Sequence, residues 1–331
     1  HQLAFLDDYF RDPHFENLLK AIDAFEQESG HFPALANSEQ SVLMKKSLFV
    51  PFEVNNHQTY RYRPNIQILN ASVWNGSAVT TIHVPYQESL LPLLEKLKIY
   101  HKEFMFETDR FGFRTTDYKV DADQPAILFL GDSFAEGVNV PSQRTFVNFF
   151  GHFSEQAGLF LTPVNMGVTG YGIADMHALA QFHAANVEAK IVVANLFPND
   201  VSQDFLKALK PGGVSEKHYI RLFQQLDLLK DMSLKSELAL VISLIPAKQQ
   251  LRAGDADGYF QKRVEDWCQK NGVRCLNPLN YFRAVGEEEI YFSWDIHFSQ
   301  HGHRHYAKFL ALELKDILKQ VKAKMAENQV D

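Results

Sequence analysis

Residues 126–140 read AILFLGDSFAEGVNV, five apolar residues running straight into Gly131-Asp132-Ser133. A short unbroken apolar run bounded by a turn signal reads as a strand buried on both faces, as in a parallel sheet. The residues behind it begin a helical pattern. Ser133 therefore stands at the carboxyl end of a strand, where it can serve either as a helix cap or as a nucleophile.

The same alternation continues to the C-terminus. FLTPVNMG (160–167), KIVVANLF (190–197), LALVISLIP (238–246) and VRCLNPL (273–279) read as four further strands. Between them lie helical patterns at 144–158, 172–189, 216–232 and 257–272, and a closing helix is expected over 301–325. Strand and helix in alternation specify an α/β domain with a mainly parallel sheet and right-handed crossovers, here residues 123–331. Phe146, Phe149, Phe150 and Phe153 recur at helical spacing and are expected mostly in its core. Residues 1–122 read as an α+β extension or lid: a helix over 14–30, a hairpin about Asn75-Gly76, and a helical run with a glycine turn over 88–118. No internal repeat is present.

Of the 331 residues, 46% are hydrophobic and 22% charged, enough to bury a core. The net charge of −7 is dispersed and no basic run occurs, which argues against a nucleic-acid partner. No apolar stretch approaches the ~18 residues that span a bilayer. The first residue is His1, so the chain is expected to begin inside a longer one, after a removed tag, signal peptide or membrane anchor. Cys268 and Cys275 are close enough in sequence for a disulfide, and the sequence leaves that pairing open. Two thiols without histidine or acid partners do not make a zinc site, and no metal or cofactor is expected.

In a parallel α/β sheet, the loops at the carboxyl ends of the strands converge on one edge, where ligands bind. The polar oddities of this chain fall there: Asp132 and Ser133 after the first strand, Gly167, Gly170 and Gly172 after the second, Asn199 and Asp200 after the third, and Asp295 and His297 before the last helix. A serine nucleophile needs a base, a group that orients the base, and donors for the oxyanion. Ser133 supplies the hydroxyl, His297 the base and Asp295 the orienting acid. The backbone N–H groups of Ser133 and Gly170 and the side-chain amide of Asn199 are the candidate oxyanion donors. Asp132 is expected to accept backbone N–H groups in its tight turn, with substrate contact as the alternative. Trp294, beside the candidate acid, and Trp74 are candidates to line a sugar or acyl site. Glu136 and Arg144 flank the serine loop and are expected on a solvated face. His301 and His305 lie one helical turn apart with no acid at matching spacing, which reads as surface or capping, and His303 is expected to pack at the sheet edge.

The four blocks GDSF, GVTGYG, PND and DIHF resemble the SGNH (GDSL-type) hydrolase family over roughly residue 126 to the C-terminus. The resemblance implies a flavodoxin-like three-layer α/β/α sandwich. It matches Ser133 to the nucleophile, Gly170 to the second-block glycine, Asn199 to the third-block asparagine and His297 to the last-block histidine. The upstream DRFGFRTTDY is similar to the lead-in of a bacterial subgroup that contains both extracytoplasmic esterases and carbohydrate O-acetyltransferases. A periplasmic, extracellular or outward-facing membrane-anchored location is thereby implied, with the cytoplasm left open. Two blocks depart from the family pattern. Asp295-x-His297 is one residue shorter than Asp-x-x-His, a spacing that also occurs in the acetyltransferase-like branch, and Phe197 stands where the third block has glycine and is expected to narrow the acyl pocket. The Gly-x-Ser-x-Gly of α/β-hydrolases is absent. The expected function is a serine-dependent acyl-ester hydrolase acting on a small-molecule, saccharide or lipid ester through an acyl-enzyme on Ser133. A carbohydrate O-acetyltransferase using the same residues and a non-catalytic binding module of the same fold are the alternatives. A nucleotide-binding flavodoxin-like domain is disfavoured, because Asp132 would repel a phosphate.

Overall fold

The structure, a computed structural model, describes residues 49–74, 79–85, 101–122, 124–183, 186–252, 258–293 and 295–327. The described chain divides into two compact units. The smaller takes in 49–51 and 62–112, and the larger takes in Phe52–Arg61 and everything from Phe113 onward. The division thus falls at Gly112, ten residues before the boundary expected from the onset of strand–helix alternation, and it assigns a ten-residue segment of the N-terminal region to the larger unit.

That segment belongs to a hairpin of two strands, β1 (Phe49–Val54) and β2 (His57–Tyr62). The smaller unit contains β3 (Gln67–Trp74), β4 (Val79–Pro85) and β5 (His101–Glu107), an antiparallel sheet in the order β4-β3-β5. Trp74 pairs with Val79, so β3 and β4 form the hairpin expected about Asn75-Gly76. The turn residues themselves lie outside the described residues, as do the expected helix over 14–30 and most of the helical run after 88. Residues 101–107 of that run's continuation form strand β5 instead, paired with β3.

The larger unit is built on β6 (Ala126–Gly131), β7 (Thr162–Gly167), β8 (Ala189–Leu196), β9 (Ala239–Leu244) and β10 (Arg274–Leu276). All neighbours are parallel and the order is β10-β9-β8-β6-β7, the doubly wound flavodoxin-like order. Every residue of β6 and β7 is buried, which explains their lack of polar alternation. The helices flank the sheet. After the one-turn helix α1 (Ser133–Glu136) come α2 (Phe146–Gln156), α3 (Ile173–His183), α4 (Glu216–Lys235) and α5 (Tyr259–Asn271), then α6 (Gln300–Glu313) and α7 (Lys315–Glu327). α2 packs on α6, and α3 packs on α4. Right-handed crossovers that run one way to β7 and the other way to β8, β9 and β10 put these two pairs on opposite faces. The closing helix expected as one element is two, broken at Leu314. Phe146 and Phe150 are fully buried and their rings meet Phe129 of β6 edge-on.

Because β7 lies on one side of β6 and β8 on the other, the chain reverses its winding between β6 and β8. A crevice opens at the carboxyl ends of two strands that diverge in this way. Ser133 follows β6 and Asn199 follows β8. Cys268 and Cys275 are free thiols, and the hydrogen bond between them, with burial, pushes the Cys275 thiol up.

Candidate active site

Ser133 heads a single helical turn. Its predecessor Asp132 caps that turn, the carboxylate Oδ1 accepting the Phe134 N–H at 3.0 Å. Gly167 makes room for the turn: a Cβ there would lie 2.0 Å from the backbone nitrogen of Glu136, closer than any side chain can approach. The chain leaving the turn is held by Arg114, which is 2% exposed. Its guanidinium donates to the carbonyls of Glu136, Gly137 and Val140, the Gly137 contact at 2.6 Å. Arg114 is the arginine of the Gly-Phe-Arg lead-in, and its backbone forms an antiparallel bridge with Asn165 of β7.

This arrangement predicts a stability effect. Arg114→Met leaves three carbonyls without their donor, at about 1–3 kcal/mol for each buried group left unsatisfied. At about 2–4 °C per kcal/mol, calorimetry should show Tm falling by roughly 6 °C or more. An unchanged Tm would remove Arg114 as the anchor of this loop.

His297 reaches Ser133 from a second loop. Tyr291 and Phe298 bridge antiparallel, Phe292 donates its N–H to the His297 carbonyl, and Ser299 caps α6 by accepting the Gly302 N–H. In the resulting tight loop the His297 Nε2 lies 2.8 Å from Ser133 Oγ and its Nδ1 lies 3.0 Å from Asp295 Oδ1. Asp295 is fixed in turn by the Ile296 N–H on Oδ1 at 2.6 Å and the Asn139 side-chain amide on Oδ2 at 2.7 Å. The shortened Asp-x-His spacing therefore still brings the carboxylate to the imidazole. Burial by itself lowers the His297 imidazole, but the hydrogen bond and charge of Asp295, backed by Asp132 and Glu136, outweigh it and hold the pKa above the ordinary 6.5. Burial raises the Asp295 carboxyl, and His297 with the local backbone N–H groups more than reverses this, leaving it low.

Asn199 lies in the single 3-10 turn Pro198–Asp200 after β8, and its Nδ2 donates to Asp132 Oδ2 at 2.9 Å. That contact fixes which way the amide faces, because a turned amide would set its oxygen against a carboxylate. One N–H of the amide is used on Asp132, and the second has no partner among the described residues. Asp132 is 1% exposed with both carboxylate oxygens engaged, so it works inside the loop rather than at its surface. Burial raises its carboxyl against the opposing Phe134, Asn199 and His297 interactions. Asp200 accepts the Phe197 N–H, and burial, with the charge of Asp132, pushes its carboxyl well up. Gly170 sits in an exposed turn with φ of +85°.

Other expected positions fall elsewhere. Phe197 is 1% exposed, its ring packed between Phe134 and Phe205, so it fills the core beneath the site. Trp294 lies outside the described residues, as does the side chain of Trp74. Glu136 is not on a solvated face: it is 2% exposed, and its Oε2 accepts the Thr169 N–H at 2.6 Å. Arg144 is exposed as expected. His303 is buried on Phe146 with Nδ1 accepting the Phe146 N–H, and burial, with the Arg114 and His297 charges, pushes its imidazole down to about 3. Asn139, with φ of +67°, was not singled out by the sequence, and only its place in the loop after α1 signals it.

No protein of curated function matches the chain in sequence. Among solved structures it is similar to a member of the lipolytic protein G-D-S-L family from Veillonella parvula DSM 2008 (15% identity, 56% of this chain and 96% of that one, TM-score 0.41). It is also similar to the psychrotrophic esterase EstA from Pseudoalteromonas sp. (12% identity, 59% and 98%, TM-score 0.46). A third is Axe2, an acetylxylan esterase from Geobacillus stearothermophilus (13% identity, 59% and 96%, TM-score 0.44). The sequence model of the GDSL-like lipase/acylhydrolase family matches residues 129–305, from within β6 through the serine turn to the helix behind His297. That span is more than half of the chain, and the chain belongs to the GDSL-like lipase/acylhydrolase family.

Proposed function

We propose that this protein is an ester hydrolase that works through an acyl-enzyme on Ser133. The observation that carries the reading is the unbroken relay from Ser133 Oγ to His297 Nε2 at 2.8 Å and from His297 Nδ1 to Asp295 at 3.0 Å. His297 takes the Ser133 proton as the oxygen attacks the ester carbonyl, and Asp295 stabilises the imidazolium that results. The tetrahedral anion is held by the Ser133 and Gly170 N–H groups and by the free N–H of Asn199. His297 then protonates the departing alcohol, and a water activated by the same imidazole releases the acid. The substrate class is an acyl ester, of an acylated carbohydrate or lipid or of a small molecule.

The test is steady-state hydrolysis of p-nitrophenyl acetate by the wild type and by Ser133→Ala. The serine variant should lose a factor of about 10³ or more in kcat/KM while remaining folded. Wild-type activity in Ser133→Ala would overturn the reading. Acyl transfer to a sugar hydroxyl would use the same residues. If added saccharide speeds p-nitrophenol release and is itself recovered acylated, transfer replaces hydrolysis as the reaction.

A further inference from the structure

The hairpin segment Phe52–Arg61 packs against the part of the larger unit that carries Gly170. It contacts α3 through Asn55 on Gln181 at 3.0 Å, His57 on Asp175 at 2.9 Å, and the Phe52 ring 5.3 Å from that of Phe182. It also contacts the turn after β7. The Tyr60 hydroxyl donates to the Thr169 carbonyl at 2.8 Å, the Tyr171 hydroxyl donates back to the Tyr60 carbonyl, and the two rings meet edge-on at 5.5 Å.

Residues 168–171 form a β-turn closed by the Tyr171 N–H on the Val168 carbonyl at 3.1 Å. Gly170, third in the turn, has φ of +85°, whereas Thr169 is not among the residues with positive φ. Positive φ at the third position alone is the signature of a type II turn. Types I and II differ chiefly by a half-rotation of the central peptide, here the one joining Thr169 to Gly170. That peptide is trans and planar, so its C=O and N–H point in opposite directions. Whatever holds the Thr169 carbonyl therefore also fixes where the Gly170 N–H points. On the other side of Thr169, its own N–H is held by Glu136, which belongs to the helical turn that Ser133 heads. The turn is thus tied to the serine turn by Glu136 and set in its rotation by Tyr60.

Resting on the acyl-enzyme reading above, we infer that Tyr60 is a positioning residue of the oxyanion hole. By holding the Thr169 carbonyl it selects the peptide orientation that presents the Gly170 N–H to the developing anion. The hairpin lies upstream of the residues that the family match covers, so this chain completes its site with a segment of its own.

Tyr60→Phe in the full chain keeps the ring and removes only the hydroxyl. Loss of a whole oxyanion donor costs about 10²–10³ in kcat, so a donor left free to rotate away should cost about ten- to one-hundred-fold. The loss should appear in kcat with KM within about twofold, because the N–H acts on the transition state and not on the bound ester. Gly170→Ala forces the same turn out of positive φ, so the double variant should be little worse than the worse single one. His57→Ala, which loosens the hairpin elsewhere, should leave kcat near wild type. Unchanged kcat in Tyr60→Phe would overturn the inference, as would a loss matched by His57→Ala or fully additive with Gly170→Ala. If Ser133→Ala keeps wild-type activity, the acyl-enzyme reading fails and this inference falls with it. An active wild type with an inert Ser133→Ala and an unaffected Tyr60→Phe rejects the role of Tyr60 alone.

Discussion

His297→Ala should lower kcat/KM for p-nitrophenyl acetate by about three to four orders of magnitude, as expected when the base of a serine relay is removed. The imidazole can accept the Ser133 proton only when neutral, so the wild-type rate should rise with pH. Asp295, Asp132 and Glu136 together hold the His297 pKa above 6.5, so the midpoint of that rise should lie above 6.5. Asp295→Asn removes the partner that opposes burial most strongly. Its midpoint should shift to lower pH, while its plateau rate falls by about 10² to 10⁴. A plateau retained in Asp295→Asn, or a midpoint that stays in place, would show that the imidazole is not governed by this carboxylate. Neighbouring Asn139 gives a graded check, since it touches only the outer oxygen of Asp295.

The second large effect concerns Asn199. If its remaining N–H meets the tetrahedral anion, Asn199→Ala should lower kcat by about 10²–10³ with little change in KM. Asp132→Asn should show a milder form of the same defect, because an amide at position 132 no longer dictates which way Asn199 faces. The side chain of Asn199 also meets Asp132 beneath the serine turn, so circular dichroism and Tm must show that the variant is folded. A folded Asn199→Ala with wild-type kcat would assign the asparagine to the architecture of the loop rather than to the anion.

Much of this was legible in the chain because the signals are local. Five apolar runs followed by polar turns mark five parallel strands, with Ser133 and Asn199 just past two of their ends and Asp295 and His297 just before the helix Gln300–Glu313. The closing helix reads as continuous because nothing in its apolar spacing marks Leu314 as a break. Residues 101–107 become strand β5 because β3 offers a partner, a pairing that period alone does not predict. The site residues that escaped notice are those whose roles depend on distant partners. Asn139 meets Asp295 across 156 residues of sequence and Tyr60 meets Thr169 across 109, separations at which only the folded chain brings them together. The usual behaviour of a charged residue beside a loop puts Glu136 on a solvated face. Its burial follows from the Thr169 N–H that it holds.

Treatment with diisopropyl fluorophosphate followed by intact-mass measurement and peptide mapping asks most directly whether Ser133 is the activated hydroxyl. A single adduct should form, map to the peptide containing Ser133, vanish in Ser133→Ala and form far more slowly in His297→Ala. A folded wild type that takes up no reagent, or takes it up at another serine, would contradict an acyl-enzyme at this site.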